Sequence, residues 1–371
     1  MKENIGRSQR NYNIDIIKIF AMFLVVVIHI TGVGGIEANC RNLTTQLLIK
    51  IVYSISWCCI NLFSLSTGYL LCAVRANVKR ILTLWAQVFF YSIGVFIVIF
   101  FISRDKGIIN FSSIAYMFPI CFSKYWYMSV YFALYILAPF YNKLIENLNK
   151  KQFSWLMIIA LICFSVIPTL AGEDTFLIGG VVSVGQSFVW LTTMYFLGAY
   201  IRKYKITIHN CVLVSLICLM IAAMVAFSYI PKQYISFGEK KFSLTDYSSV
   251  TVLIMSVAVF LLLLNMKLNV GPMTGKIIKA FSVSSLSVYL IHTHELVFYK
   301  YIVGRFSWVG DYLALKAVLI TIGISLAIML VCSLIGMIQL KLFEAMGINR
   351  LCAYLGDKIM RLKAKIEKKF I

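Results

Sequence analysis

The stretch NIDIIKIFAMFLVVVIHITGV, residues 13–33, is the clearest transmembrane segment of the chain. A helix needs about 20 largely apolar residues to cross the hydrocarbon core of a bilayer, and this stretch supplies them. Similar apolar stretches follow it along the 371 residues, separated by short polar segments. They predict an all-α polytopic membrane protein with about ten transmembrane helices. The predicted spans are residues 13–33, 45–72, 81–102, 124–142, 153–171, 184–201, 210–230, 249–265, 281–302 and 314–340.

The composition indicates that lipid is the solvent for much of the protein. Hydrophobic residues make up 61% of the sequence and charged residues 13%, and the mean hydropathy is +0.88. A soluble domain is nearer half apolar and a quarter charged, and could not bury so much apolar surface in one core. The net charge of +21 arises from short basic clusters between apolar runs. That distribution is typical of membrane-protein loops and argues against nucleic-acid binding.

Lys and Arg are concentrated in alternate connecting segments, which predicts that both termini lie in the cytoplasm. We expect a membrane domain over residues 1–340 and a cytoplasmic tail over residues 341–371. Lys and Arg fill one face of the tail, which predicts a basic amphipathic helix that lies on the anionic inner leaflet. Packing of this helix against the bundle is an equally favoured alternative. Its apolar face consists of Leu351, Leu355, Ile359, Leu362, Ile366 and Phe370.

Three ionisable side chains interrupt the first apolar stretch, and a centred charge there costs about 2.5–3.5 kcal/mol on insertion scales. Lys18 and His29 are eleven residues apart, about 20° from three full helical turns, so they face the same way about 16 Å apart along the axis. Asp15, three residues before Lys18, can pair with it. This face presents a cation near the cytoplasm and an imidazole suited to proton transfer toward the outer leaflet. The structural alternative for His29 is an interhelical hydrogen bond.

The spacing of Lys18 and His29 resembles the marker of acyltransferase family three, an integral-membrane family whose first helix carries Arg or Lys, ten residues and then His. Lys18 replaces the more usual Arg, which keeps one cation but loses the bidentate fork. Further stretches resemble the family in the same order along nearly the whole sequence, although Thr67 departs from its Ser-Gly pattern. They are residues 65–70 (LSTGYL), 79–81 (KRI), 125–128 (YWYM) continuing to 134–135 and 138–140, 196–200 (FLGAY) and 287–292 (SVYLIH).

The resemblance implies a multi-pass enzyme of the bacterial cytoplasmic membrane. Family members move an acyl group, usually acetyl from acetyl-CoA, to a hydroxyl, most often on a cell-surface or lipid-linked glycan. His29 is then the catalytic residue, either as general base or as an acylated intermediate. Cations at the cytoplasmic end would bind the phosphates of acyl-CoA, a co-substrate, and neither a cofactor nor a metal is expected. The donor-binding candidates are Lys18, Arg75, Lys79 and Arg80.

Other polar and aromatic residues are candidates for supporting roles. No carboxylate lies on the turns around His29, so any orienting partner comes from another helix. Trp126, Tyr127 and Tyr131 form an aromatic strip that could bind the acceptor sugar; packing or an interfacial aromatic belt is an equally favoured alternative. The four candidate orienting partners are Ser66, Tyr127, His292 and Glu295, and Asp15 is a further structural or orienting candidate.

Two functions from other classes remain open at this point. A transporter or flippase would also line its path with intramembrane polar groups, although broken spans in matched halves are not evident. A non-catalytic module that binds the same lipid-linked glycan would present a similar surface.

Overall fold

The computed structural model describes residues 10–73, 77–103, 115–116, 118–122, 124–171, 184–230, 236–237 and 240–370. These residues form helices, apart from connecting segments and one short antiparallel pair, β1 (Ser236–Phe237) and β2 (Lys240–Lys241). The predicted all-α fold class is therefore confirmed. The helices are α1 (Tyr12–Thr31), α2 (Leu43–Ser56), α3 (Cys59–Leu71), α4 (Val78–Ser103), α5 (Trp126–Asn147), α6 (Lys150–Leu161), α7 (Ile167–Ala171), α8 (Phe188–Tyr204), α9 (Asn210–Phe227), α10 (Val250–Leu264), α11 (Pro272–His292), α12 (Glu295–Tyr301), α13 (Ala314–Ala345) and α14 (Ile348–Phe370).

Among the described residues, seven helical segments are long and apolar enough to cross a membrane, and Val250–Leu264 is a shorter apolar helix. One segment, Leu43–Leu71, joins α2 and α3, and another, Lys150–Ala171, joins α6 and α7 through a π-helical turn. The predicted span 281–302 is not one helix: α11 ends at His292, and α12 begins three residues later. The count of about ten spans stays a prediction.

Helix α1 lies at the centre of the bundle. It packs against α2, α3, α11 and α13, and 67% of its apolar span is buried, against 17–50% for the other six. Asn11 caps its first turn by accepting from the backbone N–H of Ile14. The polar residues of α1 therefore face other helices rather than lipid.

Helices α3 and α8 cross in unusually close contact because a glycine on each helix meets the backbone of the other. A Cβ at Gly68 would lie 1.9 Å from the carbonyl oxygen of Tyr195, and one at Gly198 would lie 2.2 Å from that of Leu65. Small residues at a helix crossing allow this approach in a membrane, where dispersion contacts drive association. Two of the stretches that resemble the family, residues 65–70 and 196–200, thus meet at this crossing.

The C-terminal helix α14 makes contacts with the bundle, and its position on the inner leaflet stays a prediction. It packs against the start of α4, where a Cβ at Gly356 would lie 3.1 Å from the backbone nitrogen of Lys79. The predicted apolar stripe is exposed from Leu351 to Leu362. The proposed division at residue 341 falls within α13, which ends at Ala345.

We predict that Gly68→Ala destabilises the protein, because the added methyl group would overlap a backbone atom that cannot move aside. Overpacking of this kind costs about 1–3 kcal/mol, and a backbone clash lies at the upper end. Gly94→Ala on α4 is the matched control, because nothing lies within 4 Å of its Cβ position. Thermal denaturation of the detergent-solubilised variants measures the effect, and equal midpoints for the two variants would contradict the described crossing.

Candidate active site

Two histidines that are distant in sequence form a hydrogen-bonded pair inside the bundle. His29 lies in the last turn of α1, and His292 is the last residue of α11. His29 Nδ1 and His292 Nε2 are 3.1 Å apart. His292 is 2% exposed, and its Nδ1 lies 2.5 Å from the carbonyl oxygen of Val288.

This geometry assigns the proton of each ring when both histidines are neutral. The Val288 carbonyl can only accept, so His292 Nδ1 carries the hydrogen and His292 Nε2 is an acceptor. His29 Nδ1 must then donate to His292 Nε2, which leaves the lone pair on His29 Nε2. No described residue hydrogen bonds to that Nε2 atom. His29 Nε2 is therefore a free proton acceptor whose orientation is set by His292.

An aromatic ring closes one side of the histidine pair. Phe298, from α12, makes an edge contact with His29 at a centroid distance of 5.1 Å. His29 itself is half-buried. Apolar cover of this kind excludes water, which strengthens hydrogen bonds and charge interactions at the site.

A cavity of about 700 Å³ runs along one face of α1 toward this pair. On α1 it is lined by residues that recur at steps of four and three, from Asn11 through Asp15, Lys18 and Met22 to Val25. His29 occupies the next position of the same series, one turn beyond Val25. The cavity therefore extends along the line from Lys18 to His29, and its lining ends one turn before the imidazole.

The end of the cavity nearest the start of α1, here called the basic end, is lined by Arg10, Lys18, Arg80 and Arg202, with Asp15 as its acidic residue. Lys18 makes no ion pair or hydrogen bond with any described residue. The basic end therefore has an unpaired ammonium group in a cavity, which suits an anionic ligand.

The expected pairing of Asp15 with Lys18 is replaced by a different ion pair. Arg10 binds the Asp15 carboxylate through two nitrogens, at 2.5 and 2.9 Å, and Ser282 Oγ donates to it at 2.7 Å. Arg10 precedes the helix and can fold back over its first turn. Asp15 therefore fixes Arg10 at the mouth of the cavity and leaves Lys18 without this partner.

Of the other candidate donor-binding residues, one lines the cavity and one does not. Arg80 lines the cavity, and its guanidinium lies 5.7 Å from the ring centre of Tyr135. Lys79 is exposed and does not line the cavity. Arg75 lies outside the described residues.

Of the four candidate partners for His29, the structure brings only His292 within hydrogen-bonding distance. Ser66 is fully buried in α3 and does not line the cavity. Glu295 forms an ion pair with Lys124 at 2.5 Å and accepts from the Tyr116 hydroxyl at 3.2 Å. Burial and the neighbouring Glu295 carboxylate raise the pKa of Tyr116, so this phenol keeps its proton.

The aromatic strip of α5 borders the cavity. Tyr127 and Tyr131 both line it and stack on each other at 6.1 Å. Tyr127 also contacts Tyr289 of α11 at 6.0 Å. Trp126 packs edge-on against Tyr127 and is not part of the lining. Two of the three predicted acceptor-binding residues therefore share a cavity with Lys18.

Sequence reasoning missed Arg202 as a residue of the site. Its Nη1 atom donates to the carbonyl oxygen of Tyr69 at 2.7 Å, which holds the guanidinium beside the cavity. In the sequence it stands among loop cations at the end of α8. The sequence feature that could have indicated Arg202 is its position one turn after Gly198, because close packing at this glycine brings the end of α8 to α3.

The chain is thus a multi-pass membrane protein whose central helix carries a hydrogen-bonded histidine one turn beyond a cavity with a basic end. The family model of the acyltransferase domain, acyltransferase family three, matches residues 11–337. The protein therefore belongs to this family and is a membrane acyltransferase. No curated protein and no solved structure matches it significantly.

We predict that His292→Phe lowers the turnover of acyl transfer while leaving donor affinity within about twofold. The substitution removes the acceptor that fixes His29 Nδ1–H but keeps a ring in the space. A misoriented His29 should lose much of the rate enhancement of roughly 10²–10⁴ that general acid–base catalysis supplies. His292→Gln, which retains an acceptor oxygen, should recover part of kcat. Unchanged kcat in His292→Phe, or equal losses in both variants, would show that the pair does not orient His29.

Proposed function

We propose that the protein moves a short acyl group, acetyl in the first instance, from cytoplasmic acyl-CoA to a hydroxyl of a cell-surface or lipid-linked glycan. The observation that carries this proposal is the single stripe on α1 that runs from the unpaired cation of Lys18, along the cavity wall, to His29. We place the protein in the bacterial cytoplasmic membrane with both termini inside.

The basic end suits the phosphates of the donor. Lys18 and Arg80 line it with charges that are not committed to a described carboxylate, whereas Arg10 is held by Asp15. Beyond them the lining becomes apolar and aromatic, with Met22, Val25 and Tyr127. A charged head followed by a thin, weakly polar arm is the shape of acyl-CoA, so its thioester would extend toward His29.

The reacting atom on the protein is His29 Nε2. As a general base it takes the proton of the acceptor hydroxyl while the hydroxyl oxygen attacks the thioester carbon. The carbon–sulfur bond then breaks, and the imidazolium returns the proton to the leaving thiolate. Alternatively Nε2 itself attacks the thioester carbon and the thiolate leaves. The hydroxyl oxygen then attacks the acyl carbon, the bond from that carbon to Nε2 breaks, and the freed Nε2 takes the hydroxyl proton and passes it to the thiolate.

His292 serves either route in the same way. Its Nε2 atom accepts from His29 Nδ1–H whether His29 is neutral, protonated or acylated on Nε2. The hydrogen bond therefore keeps Nε2 in one orientation, toward the hydroxyl proton in the first route and toward the thioester carbon in the second, and stabilises the cationic ring when it forms.

We predict that His29→Gln abolishes acyl transfer, because glutamine fills the space and hydrogen bonds but cannot take a proton near neutral pH. The expected loss is about 10²–10⁴ in rate for the general-base route. Transfer of radiolabelled acetyl from acetyl-CoA by purified protein in membranes containing the acceptor glycan measures it. Retention of most activity by a folded His29→Gln variant would contradict the assignment of His29 as the catalytic residue.

We predict that Lys18→Ala weakens binding of acetyl-CoA about 10- to 100-fold, because a charged hydrogen bond is worth about 1.5–3 kcal/mol. Lys79→Ala is the matched control, since Lys79 has the same charge but lies outside the cavity lining. Lys18→Arg should retain affinity. Calorimetric titration of the detergent-solubilised proteins tests this, and equal affinities for the Lys18→Ala and Lys79→Ala variants would count against a phosphate site at the basic end.

A further inference from the structure

Gln87 is a polar residue of the cavity that the mechanism above does not use. It lies on α4 and lines the cavity with Arg80 and Leu84, which occupy the same helix face at steps of four and three. No described residue makes a hydrogen bond to its terminal amide. The Gln87 side chain is partly exposed to the cavity, so its donor and acceptor atoms are available to a ligand group there.

The position of Gln87 along α4 places it between the two ends of the cavity. Arg80 lies at the basic end, and the Ser92 carbonyl oxygen lies 3.1 Å from Nε2 of His294, two residues after His292. At 1.5 Å per residue, Gln87 lies about 10 Å beyond Arg80 and about 8 Å before Ser92. It therefore stands partway between the phosphate-binding cations and the histidine pair.

Two short polar side chains of the lining already have hydrogen-bond partners. Thr67 Oγ1 donates to the carbonyl oxygen of Phe63 at 2.8 Å, and Ser285 Oγ donates to that of Phe281 at 2.9 Å. Both hydroxyls are therefore engaged with their own helices, whereas the Gln87 amide keeps a donor and an acceptor for a ligand.

We propose that Gln87 binds an amide of the pantetheine arm of the acyl donor. This assignment rests on the proposed function, in which the donor occupies the cavity. The Oε1 atom of Gln87 accepts from the N–H of a secondary amide, and its NH₂ group donates to the carbonyl oxygen of that amide, so both polar atoms can be paired. Gln87 thereby fixes how far the arm extends toward His29 and selects carriers whose arm contains amides over simple lipid esters.

The test separates the arm of the donor from its phosphates. Binding of CoA, and of adenosine 3′,5′-bisphosphate, which has the phosphorylated nucleoside but no pantetheine, is measured by calorimetry on the purified full-length protein. Gln87→Leu should weaken CoA binding about tenfold and leave the bisphosphate unaffected. Lys18→Ala should weaken the binding of both ligands. Gln46→Leu, the same chemical change on α2 outside the cavity lining, is the control and should alter neither.

The outcomes distinguish this assignment from the function on which it rests. If the parent protein binds CoA and Gln87→Leu binds it equally well, the amide contact is wrong and the donor site stands. If Gln87→Leu loses the binding of both CoA and the bisphosphate, the substitution disturbs the whole cavity, and the proposed amide contact is overturned. Absence of CoA binding in the parent would overturn the proposed donor and the assignment together.

Discussion

The arrangement of the bundle depends on the cost of keeping polar groups of α1 away from water. Three ionisable residues of α1 each have a different environment that lowers this cost. Asp15 is held by Arg10 and Ser282, His29 is held by His292, and Lys18 faces a cavity. None of these is possible on a helix that faces lipid, because lipid offers no hydrogen-bonding partner. Enclosure of α1 by α2, α3, α11 and α13 is therefore what makes its polar residues compatible with the membrane.

The crossing of α3 and α8 contributes to the same end from a distance. The close approach of Gly68 to the Tyr195 backbone, and of Gly198 to the Leu65 backbone, places the last turn of α8 next to the end of α3. Arg202 then reaches the Tyr69 carbonyl and borders the cavity. A glycine in a membrane helix can thus determine where a cation lies one turn away, although neither glycine contacts the cavity itself.

Periodicity along one helix predicted which face of α1 the cavity follows, and not the partners of the residues on that face. The expected span 13–33 corresponds closely to α1, and the alignment of Lys18 with His29 is the line followed by the cavity. His292 is 263 residues away in sequence, so only tertiary packing could select it from the four candidates. Asp15 was assigned to Lys18 by a rule for residues within a helix, and that rule does not consider Arg10 in the preceding segment.

In the proposed reaction, the position of His29 divides the two substrates between opposite ends of α1. The cavity begins among cations and ends at Val25, one turn before His29. Phosphates cannot enter an apolar region without a large desolvation cost, so the donor is held at the basic end by its own charge. Only the uncharged arm and thioester can pass Met22 and Val25. A neutral imidazole adds no charge to this region before it accepts the proton, and the hydrogen bond to His292 stabilises the cationic ring that then forms. The acceptor hydroxyl has only to reach His29, so acyl transfer can occur without moving the anionic carrier across the membrane.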